Sequence, residues 1–142
     1  MPSFKNTLNF MLLSLFLLIG CSRNDEVPRT SKLLQQGTWK VSLFVDNGTD
    51  ETHHFSGYVF TFSDSGVINA VKAGAPTVTG SFNTGSDDSQ NKMIINFGSA
   101  PQFNELNEDW RIIERSNSRI RLEHVSGGNG GTDLLTLERI NQ

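Results

Sequence analysis

Over most of the chain, apolar and polar side chains alternate in short runs, which is the period-two pattern of half-buried β-strands. In the first run, Trp39, Val41 and Leu43 alternate with polar residues, and the later runs repeat this spacing. We interpret eight runs as strands, at residues 39–45, 58–62, 67–71, 78–82, 93–97, 110–113, 119–123 and 134–137. The pattern therefore predicts an all-β domain.

The connections between the predicted strands are short and rich in turn residues. Asn47-Gly48 favours left-handed backbone angles, and residues 63–66, 116–118 and 127–131 suit hairpin turns. Parallel neighbours would need crossovers of a dozen or more residues, so these consecutive strands must pair antiparallel as a meander. A short helical turn is predicted before the first strand, at residues 31–36.

Eight antiparallel strands in sequence order can close on themselves, which removes the exposed edges that an open sheet leaves. We therefore predict an eight-stranded antiparallel up-and-down barrel, with a β-sandwich as the alternative. An interior of this width can be filled by side chains or can hold one small ligand. The predicted inward-facing set is Trp39, Val41, Leu43, Tyr58, Phe60, Phe62, Phe82, Met93, Ile95, Phe97, Trp110, Ile112, Ile120, Leu122, Leu135 and Leu137.

The N-terminus has a different pattern. Residues 1–9 are polar with Lys5 as their one charge, and residues 10–19 form an apolar run interrupted only by Ser14. At about 1.5 Å of helical rise per residue, this run covers about half of a roughly 30 Å hydrocarbon core, so it is too short to span a bilayer. It has the character of the apolar segment of a secretory signal peptide.

The residues after this run indicate how the leader would be removed. Leu18-Ile19-Gly20-Cys21 resembles the bacterial lipobox, in which a small residue precedes the cysteine at the cleavage site. The resemblance implies cleavage between Gly20 and Cys21 and attachment of palmitate-class acyl chains to Cys21. Two or three such chains, at about 0.8 kcal/mol per buried CH₂, would hold the protein in a lipid bilayer. Cys21 is the only cysteine, so no intramolecular disulfide can form.

These patterns divide the chain into a signal peptide at 1–20, a lipidated flexible tether at 21–31 and a β domain at 32–142. By analogy with enteric lipoproteins, Ser22 after the cysteine favours sorting to the outer membrane. Asp25-Glu26 resembles the acidic surface-export signal of Bacteroidota lipoproteins. We expect an outer-membrane anchor, with the domain facing the periplasm or exposed at the cell surface.

The start of the β domain carries the second resemblance. A short helical turn followed by Gly37-Thr38-Trp39 is similar to the opening of lipocalins and of the lipocalin-like lipoproteins of Bacteroidota-type bacteria. In that family the tryptophan closes the base of the barrel, and an arginine near the end of the last strand lies across it. The resemblance assigns these two roles to Trp39 and Arg139. A guanidinium stacked on an indole contributes roughly 0.5–2 kcal/mol.

The resemblance is compatible with two functions. A carrier or sensor would hold a small apolar ligand inside the barrel. An accessory lipoprotein would have a filled interior and meet a protein partner through its loops or outer face, and residues 99–106, with Pro101 and Phe103, are then the predicted exposed apolar patch. The candidate ligand-lining residues are Trp39, Tyr58, Phe60, Phe62, Met93, Phe97 and Trp110.

The sequence contains no catalytic or metal-binding motif that we recognise, so we expect neither an enzyme nor a cofactor. Ser89 and Lys92 have Ser-x-x-Lys spacing, but they lie in a loop entering a strand and not on a helix. His53 and His54 follow Asp50 and Glu51, yet adjacent residues of extended chain point apart, so no metal site is predicted. The formal net charge of −3, without a basic cluster, argues against a nucleic-acid partner.

Overall fold

The computed structural model describes residues 26–127 and 130–140, most of which belong to one antiparallel sheet. Its elements are helix α1 (Glu26–Gln35) and strands β1 (Trp39–Asp46), β2 (Thr49–Asp50), β3 (Val59–Phe62), β4 (Val67–Val71), β5 (Val78–Asp87), β6 (Gln90–Asn96), β7 (Asp109–Arg115), β8 (Arg119–Val125) and β9 (Thr132–Arg139). Two 3-10 turns lie between strands, at Thr52–Phe55 and Phe103–Leu106.

Each strand from β3 to β8 pairs antiparallel with the next, and β1 pairs with both β3 and β9. The contact with β3 is short, whereas β1 and β9 pair from Trp39↔Arg139 to Val45↔Leu134. β2 is a two-residue return strand that folds back on the end of β1. The predicted eight-stranded antiparallel barrel is therefore confirmed, and the chain does not form a β-sandwich.

The register of β1 changes between Val41 and Leu43, opposite Leu137 and Thr136 of β9. An extra residue in one strand reverses which face the following side chains occupy. As a result Phe44 is buried, whereas Leu43 is only partly buried. The sequence prediction that Leu43 points into the core was therefore wrong, because strict alternation does not reveal a bulge.

Helix α1 begins at Glu26, inside the segment predicted to be a flexible tether. Pro28 is compatible with this position because the first-turn amides of a helix have no intrahelical partner. Thr30 and Leu34 are both buried, and their i, i+4 spacing places them on one face of the helix. Residues 26–31 thus belong to this helix, in a segment for which the sequence suggested a flexible tether.

The core extends beyond the residues predicted from alternation. Every predicted inward residue except Leu43, Tyr58 and Ile112 is buried, and the last two pack against the core from partly buried positions. The buried apolar residues that the prediction did not include are Leu34, Phe44, Phe55, Ile68, Ala70, Phe103 and Leu106. Several of these come from segments outside the strands, which cover the two ends of the barrel.

We call these two ends the helix end and the loop end. The helix end carries α1 and the turns after β3, β5 and β7. The loop end carries the β1–β2 hairpin, both 3-10 turns and the connections after β4 and β8. At the tip of the β1–β2 hairpin, Asn47 and Gly48 both have positive φ, as the sequence predicted.

Two glycines in β5 test how tightly this barrel is packed. A methyl group on Gly80 would lie 2.5 Å from the carbonyl oxygen of Asn96 and 2.7 Å from the ring of Phe97, whereas one on Gly85 would meet nothing within 4 Å. We expect Gly80→Ala to lower the free energy of unfolding by about 1–3 kcal/mol, as overpacking does. Gly85→Ala, in the same strand, should leave it unchanged or raise it by up to about 1 kcal/mol. Urea unfolding of both variants measures the difference, and equal effects would contradict the packing described here.

Candidate functional sites at the two ends of the barrel

At the helix end, the structure brings Trp39 and Arg139 together. The guanidinium carbon of Arg139 lies 5.2 Å from the centroid of the Trp39 ring. The indole Nε1 donates a hydrogen bond to the carbonyl oxygen of Leu34 at 2.9 Å, and Nη2 of Arg139 donates to that of Leu33 at 3.0 Å. Both contacts end on the last turn of α1, so this pair joins the first strand, the last strand and the helix.

Gly37 is part of the same arrangement. A Cβ atom at this position would lie 2.7 Å from Nε of Arg139. That Nε atom is buried and has no hydrogen-bond partner among the described residues. The guanidinium lies between Gly37 and the indole of Trp39. The Gly-x-Trp sequence therefore serves closure: the glycine leaves room for the arginine that covers the tryptophan.

The candidate ligand-lining residues form the packed interior. Of these residues Trp39, Phe60, Phe62, Met93, Phe97 and Trp110 are at most 5% exposed. A cavity wide enough for a small molecule would leave exposed area on the side chains around it, so these six face other protein atoms. Tyr58 is partly buried and packs against the same core.

Phe103 fills the interior at the loop end. Its ring centroid lies 5.0 Å from that of Tyr58, 5.1 Å from Phe97 and 5.6 Å from Phe55, in tilted or edge-to-face contacts. Phe103 is only 2% exposed. The sequence prediction of an exposed apolar patch at residues 99–106 was therefore wrong: Phe103 and Leu106 turn inward, and Pro101 remains exposed.

The two 3-10 turns together cover the loop end, and we call them the lid. Beside the Phe55–Phe103 contact, His54 and Gln102 connect them through polar groups. The amide Nε2 of Gln102 donates a hydrogen bond to the carbonyl oxygen of His54 at 2.8 Å. Nδ1 of His54 lies 2.9 Å from Oε2 of Glu105. The lid is thus held by an aromatic contact inside and by hydrogen bonds outside.

Glu51 approaches the same histidine. Its Oε2 lies 3.2 Å from Nδ1 of His54, and the ligand atoms of Glu51, His54 and Glu105 all lie within 4.8 Å of one another. The hydrogen bond to Glu105 raises the pKa of His54; burial opposes this shift, and the negative charges of Glu105 and Glu51 add to it. We call these three residues the lid trio.

The residues of the lid trio come from two separate segments of the sequence. Glu51 and His54 are neighbours in sequence, whereas Glu105 is distant and meets them only when the two turns close over the barrel. From the sequence we assumed that the two neighbouring histidines lie on extended chain, but the structure places them in the 3-10 turn Thr52–Phe55. His53 is exposed, whereas His54 is partly buried in the lid.

Ser89 and Lys92 lie apart from this site. Ser89 sits at the tip of the β5–β6 hairpin, where it has positive φ, and Lys92 lies within β6. Nζ of Lys92 lies 3.0 Å from Oδ2 of Asp109 and 3.5 Å from Oδ2 of Asp87, and the hydrogen bond to Asp109 raises the pKa of Lys92. The lysine is therefore held as a cation beside two carboxylates.

Clefts of moderate size lie on the outside of the barrel. Two of them, of about 260 and 210 Å³, follow the outer faces of β5 to β8. A larger cleft, of about 350 Å³, lies beside α1 at the helix end. Its lining residues are Arg29, Lys32, Leu33, Gln36, Arg115, Ser116 and Asn117.

The predicted lipidation and cleavage site, Gly20 and Cys21, lies outside the described residues. Within residues 26–127 and 130–140, no helix has both the length and the apolar character needed to cross a membrane.

Comparison with solved structures gives a match with a TM-score above 0.5, and this match supports the fold. A DUF4847 family protein from Bacteroides vulgatus is similar in structure, with 16% sequence identity and a TM-score of 0.52 over 80% of this chain and 99% of that one. A lipocalin-like protein from Bacteroides uniformis matches at 17% identity and a TM-score of 0.48, over 76% of this chain and 99% of that one. An uncharacterised protein from Bacteroides eggerthii matches at 10% identity and a TM-score of 0.44, over 72% and 97%. Neither the protein-family models nor the curated proteins match the sequence.

Phe103 offers a direct test of the packed interior. We expect Phe103→Ala to lower the free energy of unfolding by about 3–5 kcal/mol, because it leaves a cavity among aromatic rings. An apolar cavity of this kind stays dry and can bind benzene. Benzene should therefore raise the melting temperature of Phe103→Ala but leave that of the unmodified protein unchanged. A shift in the unmodified protein would show that the interior already has room for a ligand.

Proposed function

We propose that this protein is an outer-membrane lipoprotein, anchored through acyl chains on Cys21, whose barrel acts as an accessory module through its outer surface. In this proposal the interior serves stability, and the loops or the outer face meet a protein partner. The packing around Phe103 is the observation that carries the proposal. A carrier for a small apolar ligand is the competing function.

The energetics of the interior favour the accessory role. A ligand at the loop end would have to displace Phe103 from its contacts with Tyr58, Phe97 and Phe55. Exposing a buried phenylalanine side chain costs about 1.5–3 kcal/mol before any ligand contact is made. The lid would also have to lose the hydrogen bonds from Gln102 to His54 and between His54 and Glu105. These costs would be subtracted from the affinity of any ligand.

The proposed anchor would orient the barrel. Cys21 and the start of α1 at Glu26 are separated by a chain that spans at most about 18 Å when fully extended. An acylated Cys21 would therefore keep the helix end close to the bilayer. The loop end, with the lid and the β1–β2 hairpin, would then point away from the membrane, where a protein partner can reach it.

The anchor has its own test. Cys21→Ser should abolish both acylation and signal-peptide removal, because the modifying enzymes act on the thiol, and Ser22→Ala is the matched control. We expect metabolic labelling with palmitate and detergent-phase partitioning to be lost in Cys21→Ser only. Globomycin should likewise block maturation of the unmodified chain. Normal processing and labelling of Cys21→Ser would remove lipidation from the proposal.

The role of the interior is tested by native mass spectrometry of protein purified from its own host. We expect the mass of the acylated polypeptide without a further adduct, because the interior is occupied by Phe103. The control is the melting temperature of Phe103→Ala with and without benzene. A rise with benzene shows that the interior can bind an apolar molecule once the Phe103 ring has been removed. A reproducible stoichiometric apolar adduct on the unmodified protein would favour the carrier function and overturn the accessory role.

A further inference from the structure

We propose that Glu51, His54 and Glu105 form a binding site for a divalent transition-metal ion such as Zn²⁺, and that the bound ion locks the lid over the loop end. This inference does not depend on the proposed accessory function or on the anchor. It rests on the arrangement of the three side chains and on how their backbones are held.

The three ligand atoms are close to the spacing that a metal ion requires. For tetrahedral zinc with bonds of about 2.0–2.2 Å, neighbouring nitrogen and oxygen ligands lie about 3.4 Å apart. Here Nδ1 of His54 lies 2.9 Å from the Glu105 oxygen and 3.2 Å from the Glu51 oxygen. Movements of a few tenths of an ångström would bring both distances from His54 to this value, and the two carboxylate oxygens lie within 4.8 Å of each other.

The charge arrangement also favours a cation. Both carboxylates face the same nitrogen, Nδ1 of His54, which carries at most one proton. A single proton on Nδ1 can point at only one of the two carboxylate oxygens. The other carboxylate therefore has a weaker contact with the histidine, and its oxygen lies within 4.8 Å of the first carboxylate, which has the same charge. A divalent ion placed between the three atoms would bind all of them and would neutralise both carboxylates.

The backbone of each ligand is held by other parts of the fold. The amide of Glu51 donates a hydrogen bond to the carbonyl oxygen of Phe44 in β1 at 2.9 Å. Glu105 lies between two buried residues of its 3-10 turn, Phe103 and Leu106. The carbonyl of His54 accepts the Gln102 hydrogen bond. The three ligands are therefore brought together by the closed lid, which reduces the ordering that metal binding would need.

The ligand types and their exposure indicate the kind of metal. Imidazole nitrogen with carboxylate oxygen suits zinc and related ions, whereas calcium and magnesium are bound by oxygen ligands. The three side chains are 26–28% exposed, so water can reach the site and occupy a fourth coordination position. Because the ligands come from both turns of the lid, the ion would join the two turns by direct bonds.

The test uses isothermal titration of ZnCl₂ into protein purified without a polyhistidine tag. We expect one saturable site, at least about tenfold weaker binding in His54→Ala, and unchanged binding in His53→Ala. The two variants remove the same group from adjacent positions, so non-specific binding by surface histidines would affect both. Saturating zinc should also raise the melting temperature of the unmodified protein and of His53→Ala by about 3 °C or more.

A second measurement keeps the test independent of folding defects in His54→Ala. Glu105→Gln retains the size of the side chain, and circular dichroism shows whether each variant is folded. Co²⁺ should give the visible absorption of a four-coordinate nitrogen and oxygen site in the unmodified protein, and this absorption should be lost in folded Glu105→Gln. No saturable zinc binding in the unmodified protein, or equal losses in His53→Ala and His54→Ala, would overturn the proposal.

Discussion

The pairing of the first strand with the last holds this structure together. β1 and β9 exchange ladder contacts from Trp39↔Arg139 to Val45↔Leu134, and this pairing converts a meander with two open edges into a closed barrel. Closure sets the interior volume that the side chains must fill. It also places Arg139 over Trp39, so the pairing that closes the sheet also covers the helix end of the barrel.

The interior created by this closure is filled from the loop end. Alternating strand residues supply most of the core, but the space between them is completed by Phe55 and Phe103, which belong to 3-10 turns and not to strands. Protein interiors are packed at nearly crystalline density, so these two phenylalanine rings leave little space for a ligand. This is why the proposed function lies on the outside of the barrel, although its fold is one that can also enclose a ligand.

The two ends of the barrel are held by different chemistry. At the helix end, the indole of Trp39 and the guanidinium of Arg139 donate hydrogen bonds to backbone carbonyl oxygens of α1. At the loop end, the lid combines ring contacts with partly exposed carboxylates around His54. The lid therefore places a histidine and two carboxylates close together at the loop end. If Cys21 is acylated as proposed, that end faces away from the membrane.

The sequence by itself determined eight of the nine strands and their antiparallel order, because these depend on local alternation and turn chemistry. The pairing of Trp39 with Arg139 came from the resemblance of Gly37-Thr38-Trp39 to the opening of lipocalins. The sequence could not determine the β1 bulge, which turns Phe44 inward in place of Leu43, because the bulge is defined by the register with β9. It also placed Phe103 on the surface, since a loop residue has no period that reveals the face it covers. Only the tertiary structure brought Glu105 to His54, because their distance depends on how two separate turns close over one interior.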